Sequence, residues 1–288
     1  MLLDGKEQSL EAVQVILAKR WKELLAKYEQ EKKVDPDFAI APSEDDLPKP
    51  SPKRIWQQGQ DKWHIDAAVG VFGERVLAAS AFLDDEKLGD RALFSLAAGD
   101  GSVQWKTPLK LNPWGGPSQA ENAIVVGCSS IRFDPKQIRG AQGEVVAINA
   151  ADGMVKWRTP VPGGVVSPVA IKDQIAVFTA TDGMVRALDL EGGQQKWTYN
   201  AGAPFFAGAA VTADTAYAAD LKGVVHAISL ADGSPLWKLN LATAPEVKAP
   251  GMVYGSPVLQ QGRLYVATCN VEGGGPMQQT VVVCIGDK

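Results

Sequence analysis

The stretch Ala147–Trp157, AINAADGMVKW, reads as the end of one strand, a tight turn at Asp152-Gly153 and a second strand carrying Trp157. Nearly the same wording occurs three more times, as SLAAGDGSVQW (95–105), ALDLEGGQQKW (187–197) and AISLADGSPLW (227–237). Each copy holds a small residue, a glycine six positions later and a tryptophan four beyond that. The tryptophans Trp105, Trp157, Trp197 and Trp237 are separated by 52, 40 and 40 residues. A fixed period of that size marks one supersecondary unit per copy, with an insertion in the second.

Around this frame the chain from residue 54 onward consists of short apolar runs separated by glycine, proline and Asp-Gly, the punctuation of strands. QIAVFTATDGMVRALDL (174–190) and TAYAADLKGVVHAISL (215–230) each give a strand, a turn and a second strand. VVSPVAI (165–171), FFAGAAV (205–211) and VYGSPVL (253–259) supply one more strand ahead of each unit. With the tryptophan strand, every period holds four. Four antiparallel strands repeated radially are the blades of a β-propeller. The glycines Gly101, Gly153, Gly193 and Gly233 suit a hairpin that needs positive φ. Each tryptophan then falls on the outermost strand, where its ring can fasten one blade to the next, and Ser95, Ala147, Ala187 or Ala227 leaves room for it.

The frame resembles the tryptophan-docking repeat of PQQ-like β-propeller proteins, Ala-x-Asp-x-x-Thr-Gly-x-x-x-Trp, a group that includes quinoprotein alcohol dehydrogenases and outer-membrane assembly lipoproteins. The likeness covers residues 54–288. Asp189 keeps the aspartate of the pattern, whereas Ala97, Asn149 and Ser229 replace it, and the threonine position is Asp100, Asp152, Gly192 or Asp232. A fifth copy is split. Residues 253–288 supply three strands and place Cys284 at the small-residue position, while RIWQQG (54–59) resembles VKWRTP and puts Trp56 at the docking position. The expected fold is therefore all-β, a propeller of about five four-stranded blades whose ring is closed by strands from both ends of the chain, which leaves no open edge. A larger ring, of which this chain is part, is the competing expectation.

Ahead of the propeller, Val13, Leu17, Trp21, Leu24 and Tyr28 recur at helical steps and predict an amphipathic α-helix within segment 1–33, with Ser9 as its N-cap. The charges opposite the stripe are mixed in sign, which argues for a helix docked on protein rather than on a membrane surface. Residues 34–53, with five prolines and several acidic residues, read as a linker.

A formal charge of −4 over 288 residues gives no basic footprint for nucleic acid, and no apolar run is long enough for a transmembrane segment. The three cysteines, Cys128, Cys269 and Cys284, show neither CxxC nor paired spacing, so neither a disulfide framework nor a zinc site is expected. His226 in GVVHAIS reads as a blade-packing histidine without a neighbour at metal spacing. No nucleophile elbow, zinc-protease or Walker motif occurs.

Quinoproteins of this family enclose the quinone with vicinal cysteines, calcium and an aspartate base. The vicinal pair is absent here, and Asp220 and Asn270, placed where a channel mouth could lie, read more readily as turn residues than as calcium ligands. No catalytic or metal residue and no cofactor is expected. The reading is a non-catalytic scaffold that binds protein partners. The alternatives are a PQQ- and calcium-dependent dehydrogenase or a fragment of one, and a binder of small ligands or glycans in the central channel. The insertion SIRFDPKQIRGAQG (130–143), with Arg132, Phe133, Lys136 and Arg139, is the candidate interaction loop. The resemblance implies a periplasmic or other extracytoplasmic location, although MLLDGKEQSL lacks the features of a secretory signal.

Overall fold

The computed structural model describes residues 1–3, 5–59, 63–131, 135–138, 140–269 and 280–286. The chain forms two compact units, Met1–Gln57 and Gln58–Lys288. In the first, β1 (Leu2–Leu3) pairs with β2 (Lys6–Glu7), and α1 spans Leu10–Val34. The Ser9 hydroxyl accepts the Ala12 N–H at 3.1 Å and caps the first turn. Glu11 near the N-terminus and Lys32 and Lys33 near the C-terminus complement the helix dipole. Val13, Leu17, Trp21, Leu24 and Tyr28, the predicted stripe, are among the least exposed side chains of the helix. The proline-rich segment returns to the hairpin, where Leu2 and Ser51 exchange backbone hydrogen bonds of 2.7 and 2.9 Å. Lys53 reaches Glu7 at 2.6 Å, and this hydrogen bond holds the Glu7 carboxyl below its ordinary range.

In the second unit, blade 1 is β3 (Gly70–Phe72), β4 (Arg75–Leu83), β5 (Leu88–Ala97) and β6 (Val103–Pro108). Blade 2 is β7 (Pro117–Ala120), β8 (Ala123–Ser129), β9 (Gly143–Asn149) and β10 (Val155–Val161). Blade 3 is β11 (Ala170–Lys172), β12 (Ile175–Thr179), β13 (Met184–Asp189) and β14 (Gln195–Asn200). Blade 4 is β15 (Ala210–Val211), β16 (Thr215–Ala219), β17 (Val224–Ser229) and β18 (Pro235–Asn240). Blade 5 is β19 (Val258–Gln260), β20 (Arg263–Ala267) and β21 (Val282–Ile285). Each blade is an antiparallel meander in chain order. The first strands adjoin in sequence, β3 beside β7, β7 beside β11, β11 beside β15 and β15 beside β19.

The middle strands are the core. β8, AIVVGCS, is buried along its whole length because blades cover both of its faces. Each junction between neighbouring blades encloses its own apolar cluster. Leu77, Leu93, Ile124 and Ile148 fill the first, Val145, Trp157, Phe178 and Leu188 the second, Val177, Trp197, Phe205 and Ile228 the third, and Val225, Leu241, Val253 and Leu264 the fourth. Stability is therefore distributed as nearest-neighbour interfaces, as in other repeat architectures.

Two expectations need correction. The fifth blade has three strands among the described residues, and among those residues no strand pairing joins it to blade 1. The segment expected to close it, Arg54–Gly59, takes no strand conformation. The Arg54 guanidinium hydrogen-bonds the Gln57 side chain at 2.9 Å, a contact between residues three apart that a pleated strand would place on opposite faces. Trp56 is half-buried there.

Candidate functional site

The repeated tryptophans join blades in a definite direction. The Trp105 indole N–H donates to the Ala150 carbonyl at 3.2 Å, Trp157 to Leu190 at 3.0 Å and Trp197 to Leu230 at 2.8 Å, each acceptor lying in the next blade. The ring rests on the hairpin glycine of that next blade. A Cβ added to Gly153 would lie 2.7 Å from the Trp105 ring, at Gly193 2.5 Å from Trp157 and at Gly233 2.8 Å from Trp197. These glycines therefore answer two demands, positive φ and a seat with no side chain. Thr107 and Thr159, two residues past their tryptophans, donate to the carbonyls of Gly153 and Gly193 at 2.6 and 2.8 Å.

The departures from the family pattern compensate one another. In blade 3, Asp189 accepts the Gly192 and Gln194 amides, both at 2.7 Å. Where that aspartate is replaced, Asp100, Asp152 or Asp232 accepts the amide after the glycine, at Ser102, Met154 and Ser234, at 2.8, 2.9 and 3.0 Å. Those backbone hydrogen bonds hold the carboxyls of Asp100 and Asp232 below their ordinary range. A carboxyl lowered by folding stabilises the fold above its unfolded value, and that contribution disappears as pH falls through the folded one. Acidification below about pH 4 is therefore expected to lower the protection of the Ser102 and Ser234 amides relative to their intrinsic exchange at the same pH, as read by NMR.

Asp220 lies 1% exposed and its carboxylate is fully engaged by protein. One oxygen accepts the Lys222 and Val224 amides at 2.8 and 3.0 Å, the other contacts His226 Nε2 at 3.0 Å. His226 Nδ1 meets the Tyr199 hydroxyl, from the neighbouring blade, at 3.0 Å. Asp220 is thus a turn and junction residue. Asn270 lies outside the described residues. Arg186, at the position in blade 3 that corresponds to His226, pairs instead with Asp182, and Glu144 in blade 2 pairs with Arg158 at 3.0 Å. Among the described residues, no three His, Cys, Asp or Glu side chains gather as a metal-binding group.

Side chains from four blades meet in one further cluster, Trp114, Val166 and Phe206 with Ala81 and Ile131, and such a meeting is possible only where blades converge. Trp114, Val166, Phe206 and Tyr254 occupy the same repeat position, ahead of the first strand of blades 2 to 5, and Asp66 is its counterpart in blade 1. Tyr254 stacks edge-on to Phe206 at 5.4 Å. His64, 2.8 Å from Asp66, stands edge-on to Trp114 at 6.4 Å. Sequence reasoning missed this set, although bulky residues recurring before Gly-Gly, Ser-Pro, Ala-Gly and Gly-Ser were its signal.

The candidate loop is placed only in part. Arg132, Phe133 and Arg139 lie outside the described residues, and Lys136 is exposed on a short 3₁₀ turn, Pro135–Gln137. Exposed apolar side chains lie elsewhere, on blades 4 and 5. Trp237 is 39% exposed, against 8% for Trp157 and 6% for Trp197, and Leu236, Val258 and Val282 are exposed as well.

The family described as "Outer membrane protein assembly factor BamB" matches residues 93–287. No curated protein matches the chain by sequence. Among solved structures, BamB from Moraxella catarrhalis aligns with a TM-score of 0.55 at 19% identity, covering 74% of this chain and 58% of its own. The quinohemoprotein alcohol dehydrogenase of Comamonas testosteroni aligns at 0.54 and 13% identity, covering 72% of this chain and 44% of its own. The computationally designed Ika8 protein aligns at 0.52 and 12% identity, over 75% of this chain and 57% of its own. At these identities the likeness concerns the fold, and the chain spans between 44% and 58% of the length of these proteins.

Proposed function

Since the chain belongs to the family of the outer membrane protein assembly factor BamB, we propose that it is a non-catalytic propeller scaffold that binds protein partners in the cell envelope, on the periplasmic side. The observation that carries this reading is Trp237, 39% exposed beside an apolar cleft lined by Tyr217, Leu259, Leu264 and Ile285 between blades 4 and 5. Exposed apolar surface of this kind marks an interaction site more often than a catalytic one. The buried polar side chains, Asp220, His226, Glu144 and Arg186, pair with other protein groups, so they serve the fold. No helix among the described residues is long and apolar enough to cross a membrane.

Photo-crosslinking amino acids at Leu236 and Val282 test the proposal. Discrete adducts in a native extract, competed by unmodified protein, are expected. Their absence at both positions would overturn it. PQQ and calcium added to the same protein, followed by absorbance titration and dye-linked alcohol oxidation, should give no saturable turnover. Turnover would move the chain to the dehydrogenase reading.

A further inference from the structure

We infer that residues 34–46 form a second docking element, a proline-bracketed segment that inserts Phe38 and Ile40 into neighbouring apolar pockets of a partner protein whose rim carries Lys or Arg. The inference adds a contact site to the scaffold reading above and rests on it in taking a protein as the occupant.

The first observation is exposure. Val34, Phe38 and Ile40 are 87%, 82% and 84% exposed, the highest values among the large apolar side chains of the described residues, and all three fall in one short stretch after the body of α1. Single apolar residues scattered over a surface are ordinary, whereas a group presented together is the mark of an interaction site.

The second observation is how the stretch is held. At one end the Asp35 N–H donates to the Glu31 carbonyl at 2.8 Å and closes α1. At the other, the Ser43 N–H and hydroxyl reach Asp46 at 2.8 and 3.3 Å across the 3₁₀ turn Glu44–Asp46, and Ser51 is tied to Leu2. Between these anchors, Pro36 and Pro42 bracket Asp37-Phe38-Ala39-Ile40-Ala41, which belongs to no helix or strand. Among the described residues, the amides of residues 38–41 make no hydrogen bond within the chain. Fixed ends and two fixed proline φ angles reduce the conformational freedom that binding would remove. A plain spacer requires reach alone.

Charge gives the partner's chemistry. Asp35, Asp37, Glu44, Asp45 and Asp46 surround the apolar pair, and the sequence holds no Lys or Arg from residue 34 to residue 48. Asp45 pairs with Lys49 at 2.8 Å, whereas Asp35, Asp37 and Glu44 form no ion pair among the described residues. Lys32, at the end of α1, stands over the Tyr28 ring at 5.7 Å. Carboxylates free on both sides of Phe38 and Ile40 select a basic rim around the pockets that receive them. The same carboxylates are repelled by an anionic membrane surface.

A photo-crosslinking amino acid at the exposed Ala41 of the full chain, in a native extract, tests the inference, with a synthetic peptide of residues 34–46, VDPDFAIAPSEDD, as competitor. A discrete adduct is expected that this peptide abolishes and the same peptide with serine at both anchor positions does not. Phe38→Ser/Ile40→Ser in the full chain should reduce the adduct at least about tenfold and leave the circular dichroism spectrum unchanged, since both side chains stand in water. Asp35→Asn/Asp37→Asn/Glu44→Gln should weaken capture severalfold, and so should a rise in salt from about 0.05 to 0.5 M. The contact mapped on the partner should be apolar with Lys or Arg around it. No adduct at Ala41, a crosslink to the propeller of the same chain or to a second copy, or an adduct indifferent to the charge substitutions overturns the inference. Adducts at Leu236 without any at Ala41 would do so and leave the scaffold reading intact. An adduct at Ala41 with none at Leu236 or Val282 would keep this docking element and remove the propeller surface from that reading.

Discussion

Trp157→Ala is expected to lower folding stability by about 3–5 kcal/mol, while Trp237→Ala lowers it by less than about 1 kcal/mol, although the two residues hold the same place in the repeat. Trp157 is 8% exposed, packs with Val145, Phe178 and Leu188, and donates to Leu190; Trp237 is 39% exposed and sits beside an open cleft. Truncating the first leaves a cavity in the core between blades 2 and 3, whereas truncating the second removes a ring already partly in water. Gly193→Ala tests the other half of the same seat. The new methyl would meet the Trp157 ring at 2.5 Å, and φ at Gly193 is +70°. Backbone strain and overpacking together should destabilise by about 2–4 kcal/mol. The double variant Trp157→Ala/Gly193→Ala should fall short of the sum, because removing the ring relieves the clash. Urea unfolding followed by circular dichroism reads all four proteins. Equal losses at Trp157 and Trp237, or strict additivity of the pair, would contradict this account of the junctions.

The repeat was legible because its signal is local: a glycine and a tryptophan at fixed spacing fix hairpin and outer strand without knowledge of anything distant. The direction of docking was not, since nothing in the spacing says that Trp157 lands on Gly193 of the following copy rather than on Gly101 of the preceding one. The aspartate substitutions showed in the sequence as departures from a pattern. Only the coordinates reveal that Asp100, Asp152 and Asp232 supply from the turn the hydrogen bond that Asp189 supplies from the strand. Trp114, Phe206 and Tyr254 were missed for a related reason. They lie just outside the strands, and their meeting depends on how the blades converge. The strand expected at Arg54–Gly59 is absent: RIWQQG looks like an outer strand by composition, yet it takes no strand conformation and Arg54 hydrogen-bonds locally to Gln57. Propensity is a weak prior where a local contact competes.

Asp220→Ala carries the other large expected effect, a loss of about 3–5 kcal/mol, from the several hydrogen-bonding groups it leaves without their acceptor. Its carboxylate holds the β16–β17 turn through the Lys222 and Val224 amides and anchors His226, which in turn receives Tyr199 from blade 3. With Nε2–H donating to Asp220, Nδ1 is left to accept the Tyr199 hydroxyl, so one tautomer satisfies the whole chain of groups. Removing the carboxylate strands the buried His226 imidazole and leaves two partly buried amides without their acceptor, and an unpaired buried group costs about 1–3 kcal/mol. Tyr199→Phe removes only the far end, and the loss should be about 1 kcal/mol, because the ring still fills its place beside Trp197. Tyr199→Phe in the Asp220→Ala background should then lose less than it does alone, since the histidine that accepted its hydroxyl is no longer held. Arg186→Ala, at the corresponding position of blade 3, should fall between the two, its ion pair with Asp182 being nearer to solvent. Chemical unfolding of these variants orders them. If Asp220→Ala proved as mild as Tyr199→Phe, the carboxylate would be exchanging its partners for water, and the third and fourth blades would be held together by their apolar cluster alone.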